Sequence, residues 1–317
     1  MATDQNIVCF AGEDLEPGEE IGFASFGPLG DVVAHTALIA AFKEQHPDAK
    51  VYVHAEPYSA GVWDMNPYIE GRCAEIETGR WIQPCRRKKW LFSRDMFKCY
   101  SDKSQSSSVY ASMAENYHTP LSLEQSRPRL FVASDEVDAL WIRLSERVGR
   151  DMRGEKFLLF APTSGSRYRC WPAYNNFVEM VQSELGLTVL AVTVGANAAI
   201  VEELNEKAIC LCNFLTTREL IVLCSKASRI VTVDTAVVHI GAAFNIPTVV
   251  ISGPISPTIT VGTYPKCVAV FHKERCPKAP CGWLGVDQSC PIGASECAVM
   301  AGASPRTVLD KFGVLAL

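Results

Sequence analysis

Residues Ile21–Val53 read IGFASFGPLGDVVAHTALIAAFKEQHPDAKVYV, and the fold turns on how this stretch is parsed. A short apolar run ends at a turn carrying Gly27 and Gly30, with Asp31 on its far side. Beyond it Val32, Val33, Thr36, Ala37, Ile39, Ala40 and Phe42 recur at helical spacing until His46-Pro47 stops them. AKVYVHAEP, residues 49–57, then reads as a second strand. Strand, helix and strand joined by short links form a βαβ unit, which predicts a parallel sheet.

The same grammar returns downstream. KFLLFAPTSGS (156–166) is a strand running into a Gly/Ser/Thr turn, NNFVEMVQSEL (175–185) a helix, LTVLAVTVG (187–195) a strand and AAIVEELNEK (198–207) a helix. TTRELIVLCSKA (216–227), RIVTVD (229–234), TAVVHIGAAFN (235–245) and IPTVVISGP (246–254) continue as helix, strand, helix and strand. Such alternation predicts a doubly wound α/β domain. SVYASMAENYH (108–118) reads as a helix, and Ser134 opens another with Val137, Leu140, Trp141 and Leu144 on one face. A junction at 149–154 divides the chain into residues 1–150 and 151–317, in line with the ~150 residues that one core commonly organises.

Composition narrows the classes. Hydrophobic residues make up 48% and charged residues 21% of the 317, with a net charge of −5, an ordinary globular balance that does not point to nucleic acid. The first twenty residues are acidic and carry no signal-peptide pattern, although NIVCF (6–10) reads as a short strand. TVLAVTVGANAAIV (188–201) is too short to span a bilayer, so a cytoplasmic protein is expected. The basic run RRKK (86–89) is read as a solvated loop or a contact for an anionic substrate, and SQSSS (104–108) as loop.

Ligands of open α/β sheets bind beyond the carboxyl ends of the strands. Asp31 there is either an N-cap or a general base, and Gly30 beside it permits close backbone approach. Thr163, Ser164, Ser166, Arg167 and Arg169 are the parts of a diphosphate clamp without the spacing of a P-loop, although such a loop on its own is more commonly a surface turn. Asp234 ends a strand, Thr235 and Ala236 open a helix whose N-terminus suits an anion, and His239 lies one turn on. Asp234 as a mere cap and His239 as a packing residue stay open, with Gly253-Pro254 favouring a ligand cleft.

Taken together, residues 27–53, NPYI (66–69), SRPRLFV (126–132), APTSGSRYRCWP (161–172) and VDTAVVHIGAAFNIPTVVISGPISP (233–257) resemble the lipopolysaccharide heptosyltransferase family, from Ile21 to Phe312. The resemblance implies an α/β, GT-B fold: two Rossmann-like parallel-sheet domains facing across a cleft, acceptor on the first and nucleotide sugar on the second. It further implies an inverting glycosyltransferase with Asp31 as base, without a metal in catalysis. Arg169 would bind the donor diphosphate, and Thr163, Ser164, Asp234, Thr235, Ala236 and His239 would complete the donor site, with Gly30 and Gly253 at the cleft. Alanine at 236 replaces the glycine usual in that signature. ADP-heptose is the implied donor. A glycan, a protein or a modified DNA base remains open as acceptor, as does a non-catalytic nucleotide-sugar-binding protein.

Thirteen cysteines without a secretory signal suggest free thiols, most of them small buried hydrophobes. Cys276, Cys281, Cys290 and Cys297 are separated by four, eight and six residues, which is not a zinc-ribbon spacing. By resemblance they would hold a structural iron or zinc ion, against the alternative of scattered thiols or disulfides. The final SPRTVLDKFGV (304–314) is expected to be a helix, and the resemblance implies that it packs back on the first domain.

Overall fold

A computed structural model describes residue 12 and residues 14–25, 27–72, 89–91, 108–193, 207–282 and 289–315. The expected strand at 6–10, the helix at 198–207 except Lys207, most of the basic run and the serine tract except Ser108 lie outside the described residues.

The βαβ reading holds. β1 (Glu20–Ser25), α1 (Leu29–Gln45) and β2 (Lys50–Ala55) form the predicted unit, followed by a 3-10 turn (Pro57–Trp63), β3 (Gly71–Arg72) and β4 (Lys89–Leu91). All pairings in this sheet are parallel, in the order β3-β2-β1-β4, with Ile21 opposite Val51 and Lys89. The second sheet collects β5 (Phe157–Ala161), β6 (Thr188–Ala191), β7 (Ile209–Cys210), β8 (Arg229–Val233), β9 (Thr248–Ile251) and β10 (Cys267–Val270). Its order is β10-β9-β8-β5-β6-β7, again wholly parallel. Strands such as Phe157–Ala161 are buried along their whole length because helices cover both faces.

Between the sheets run α2 (Val109–Asn116) and α3 (Ser134–Val148). The second sheet carries α4 (Tyr174–Leu185), α5 (Thr217–Lys226), α6 (Ala236–Ala243) and α7 (Pro257–Thr260). α8 (Ala298–Ala301) and α9 (Pro305–Leu315) end the described chain.

Helix α1 holds the two sheets together. Every residue from Val32 to Phe42 is buried, so the helix is apolar all round rather than along one stripe. Its His35 meets Phe23 and Ser25 of β1 in the first sheet, and the helix also packs on α2 and α6. Burial of Leu38, Ile39 and Phe42 contributes roughly 1.5–3 kcal/mol each. The apolar cluster formed this way runs from Ile21 and Phe23 through Val238 and Tyr264 without interruption. Polar bonds reinforce it: Arg218, on α5, donates to both carboxylate oxygens of Glu136 and to the carbonyls of Gly61 and Phe131.

The last helix departs from expectation. Val308, Leu309 and Phe312 of α9 pack with Phe177 and Val178 of α4 and with β9 and β10, on the second sheet rather than the first. The apolar stripe of α9 matches the uncovered flank of α4, and burial there decides the docking.

Candidate active site

The carboxyl ends of β1, β5, β6, β7 and β8 open on one cleft of about 660 Å³. From the first half come Pro28, Leu29, Gly30, Asp31 and Tyr58; from the second come Thr163, Ser164, Arg169, Asp234, Thr235, Ala236 and His239, among others. Residues far apart in sequence are thus brought to one space.

Asp31 is not the N-cap. The helix begins at Leu29 with Pro28 at the cap and no side-chain cap bond, so Asp31 sits inside the first turn with its carboxyl group in the cleft. Burial pushes its pKa up to about 7; nearby Asp234 raises it further and Arg169 opposes both. The carboxyl group therefore exchanges its proton near neutrality, where a general base is most effective.

Asp234 does not cap α6 either. Thr235 holds the cap, its hydroxyl accepting from the Val237 N–H at 3.4 Å, so the Asp234 carboxyl group is left to the cleft. Burial raises the Asp234 pKa and Arg169 lowers it. Arg169 Nη1 donates to the Asp234 carbonyl at 3.3 Å and lies 3.9 Å from Oδ2. Its Nε is buried and finds no partner among the described residues, a costly state for a charged donor unless something in the cleft meets it. Arg167, by contrast, turns aside: its guanidinium stacks 4.7 Å from the Tyr168 ring centroid and donates to the Tyr168 hydroxyl at 2.5 Å. Of the two cations in this loop, Arg169 lines the cleft.

Burial lowers the His239 pKa to about 4, so the ring is neutral at pH 7, with Nδ1 2.7 Å from the Tyr264 hydroxyl. Thr163 bonds the Thr193 hydroxyl, and Ser164 Oγ accepts from the Ser166 N–H at 3.2 Å, which ties down the loop beside Arg169. The α6 N-terminus, Arg169 and these hydroxyls together suit a diphosphate.

Gly253 is placed elsewhere. It borders the neighbouring cavity and presses so closely on Met300 that a Cβ there would stand 2.6 Å from the Met300 Cγ and Sδ. Sequence reasoning also overlooked Tyr58, Thr193, Asn213 and the Leu215–Thr217 turn. The capping box at the last of these, Thr216 with Glu219, was legible, but nothing in it marked a ligand. Tyr58, whose hydroxyl donates to the Gly27 carbonyl, carried no sequence signal beyond its place after β2.

Cys276, Cys281, Cys290 and Cys297 line that neighbouring cavity as free thiols. Burial, then the other three cysteines, pushes Cys281 up to about 11. Among the described residues no three His, Cys, Asp or Glu side chains stand close enough to hold one ion. Among them, too, no helix is long and apolar enough to cross a membrane.

The sequence model of glycosyltransferase family 9 (heptosyltransferase) matches residues 112–281. No curated protein sequence matches the chain significantly. Among solved structures, a family 9 glycosyl transferase from Veillonella parvula is 13% identical, with 95% of this chain and 98% of that one covered and a TM-score of 0.65. The E. coli ADP-heptose lps heptosyltransferase II is 15% identical, covering 93% and 98%, with a TM-score of 0.61. The iron-containing dodecameric glycosyltransferase TibC from enterotoxigenic E. coli is 13% identical, covering 96% of this chain and 78% of that one, at a TM-score of 0.65. At these identities the likeness is one of fold, the two-sheet GT-B arrangement.

Proposed function

The chain belongs to glycosyltransferase family 9 (heptosyltransferase), and from that premise we propose that it transfers a heptose from ADP-heptose to a hydroxyl acceptor with inversion. One observation carries the reading: the Asp31 carboxyl group, with a pKa of about 7, shares a cleft with Arg169 and the N-terminus of α6. The acceptor oxygen attacks the anomeric carbon as the bond from that carbon to the diphosphate oxygen breaks and its electron pair leaves with the nucleotide. Asp31 takes the acceptor's proton. Arg169 and the α6 N–H groups meet the charge that develops on the diphosphate, a preorganised electrostatic role that the protein's own groups fill without a metal. Thr163, Ser164, Thr235, Ala236 and His239 complete the donor site. Similar folds crystallised with ADP-D-beta-D-heptose and with ADP support the choice of donor.

The division into residues 1–150 and 151–317 belongs to the same proposal, as does a cytoplasmic location, with which the free thiols among the described residues agree. The iron or zinc implied at Cys276, Cys281, Cys290 and Cys297 does not fit the arrangement of the four thiols as they stand, and no step is routed through it.

The test is Asp31→Asn with ADP-heptose as donor. Transfer is expected to fall by about a thousandfold or more while ADP binding, measured by calorimetry, persists. Retained transfer in this variant would remove Asp31 from the reaction.

A further inference from the structure

Tyr58 is hydrogen-bonded to both walls of the cleft. It stands in the 3-10 turn Pro57–Trp63, which the buried side chains of Val62 and Trp63 anchor in the core. Its hydroxyl donates to the carbonyl of Gly27. Its own carbonyl accepts from Oγ1 of Thr217, at the start of α5 in the second half, at 2.7 Å. Arg218, the next residue of α5, donates from Nη1 to the carbonyl of Gly61 in the same turn at 3.2 Å. One helix of the second half thus grips this turn at two carbonyls, and the turn grips Gly27. The connection runs on to Asp31. Gly27 takes a φ of +109°, a conformation that favours glycine, and so sets the direction in which the chain enters α1. The Pro28 carbonyl then accepts from the Asp31 N–H at 2.9 Å and from the Val32 N–H at 3.2 Å. Pro28 provides no side-chain cap bond, and the Tyr58 hydroxyl supplies a side-chain tie one residue earlier. Burial, and after it the carboxylates of Glu56 and Asp31, raise the Tyr58 pKa, so the hydroxyl keeps its proton to donate and lies within reach of the Asp31 charge.

We propose that Tyr58 is a positioning residue: with Thr217 it straps α5 to the Gly27–Asp31 turn and holds the Asp31 carboxyl group where water is excluded. Losing the hydroxyl at position 58 leaves the Gly27 carbonyl to solvent, frees the turn and lets water reach the carboxyl group. The strap joins the two halves, so the place of Asp31 depends on their contact. That the group so placed is a base rests on the function proposed above; the placement itself does not.

The test is a thermal double-mutant cycle on the full chain from pH 4 to 8, in the absence of nucleotide and acceptor. In the wild type, Asp31→Asn should raise the Tm by an amount that grows with pH and levels off above about 7. In the Tyr58→Phe background the same substitution should raise the Tm by about half as much and level off at lower pH, because water beside the carboxyl group returns its pKa towards the ordinary carboxylate range. Thr217→Val, which removes the hydroxyl and keeps the branched shape, should act in the same direction to a smaller extent. A hydroxyl that merely stabilised the fold would lower both members of each pair alike and leave their difference as it was. Tyr58 is 46% exposed, so Phe tests the hydroxyl rather than core packing. Among the described residues Glu56 beside Tyr58, Asp234 and Arg169 on the far wall and the neutral His239 of α6 also face this space, and neither variant replaces them. An Asp31→Asn difference in the Tyr58→Phe background that equals or exceeds the wild-type one overturns the proposal, and the same result for Thr217→Val removes α5 from it. No nucleotide, sugar or acceptor enters the measurement, so its failure is separate from failure of the transfer reading, which Asp31→Asn tests by activity.

Discussion

Gly30 and His239 meet across the cleft so closely that a Cβ on Gly30 would stand 3.0 Å from Cδ2 of the imidazole and 3.6 Å from the Ala236 Cα. One belongs to the first turn of α1 and the other to α6, so the absence of a side chain at position 30 lets two helix N-termini converge on one space.

Gly30→Ala tests this convergence. Alanine favours the helix, yet its methyl group must displace a ring tethered to Tyr264. We expect transfer to fall by about tenfold or more, equivalent to ~1.4 kcal/mol, while the Tm moves by no more than about 4 °C. Initial rates and a thermal scan decide; a rate equal to wild type would show the contact to be idle.

Asp31 makes both rate and stability depend on pH. With its pKa raised to about 7, transfer should climb as pH rises through 7 and the base loses its proton. Stability runs the other way. Below about 4 the carboxyl group is protonated folded and unfolded; between 4 and 7 the unfolded chain ionises first, so the fold loses stability, and above 7 the loss is complete. Asp31→Asn has no such loss. Its Tm advantage over wild type should be near zero at pH 4 and level off above pH 7, and an advantage independent of pH would contradict the buried acid.

Arg169 lowers the pKa of both carboxyl groups in the cleft. Arg169→Met should weaken ADP binding by about tenfold or more and carry the acid limb of the rate profile to higher pH. A limb that stays in place would mean that the guanidinium does not face Asp31.

Two glycines should respond oppositely to the same change. A Cβ at Gly241 would stand 2.7 Å from Cδ1 of Ile230 and 3.0 Å from Oγ1 of Thr248, both buried, so Gly241→Ala should cost about 1–3 kcal/mol. At Gly313, in α9, a Cβ meets nothing within 4 Å, and alanine should add about 0.5–1 kcal/mol. Urea denaturation midpoints at constant slope measure both.

The elements were legible wherever local chemistry was consistent. The apolar run before Gly27, the periodic run after it and Pro47 specified β1, α1 and the way to β2, and the alternation beyond residue 156 specified the second sheet. The helix starts were less legible. Asp31 and Asp234 are good N-cap residue types, yet Pro28 stands at the start of α1 and Thr235, itself a good cap, holds that of α6 through its own hydroxyl. The tail misled for a similar reason, since an amphipathic helix announces that it will dock but not on which half.

Sequence by itself determined two wholly parallel sheets, the loops at their carboxyl ends and the kinds of group those loops carry, because strand and helix periodicity and turn chemistry are local. Tertiary structure alone decided that Arg169 faces the cleft while Arg167 stacks on Tyr168, that Gly253 serves another cavity, and that Tyr110 reaches Tyr264. Burial, and with it the pKa of Asp31, depends on which surfaces exclude water, and no run of neighbouring residues encodes that.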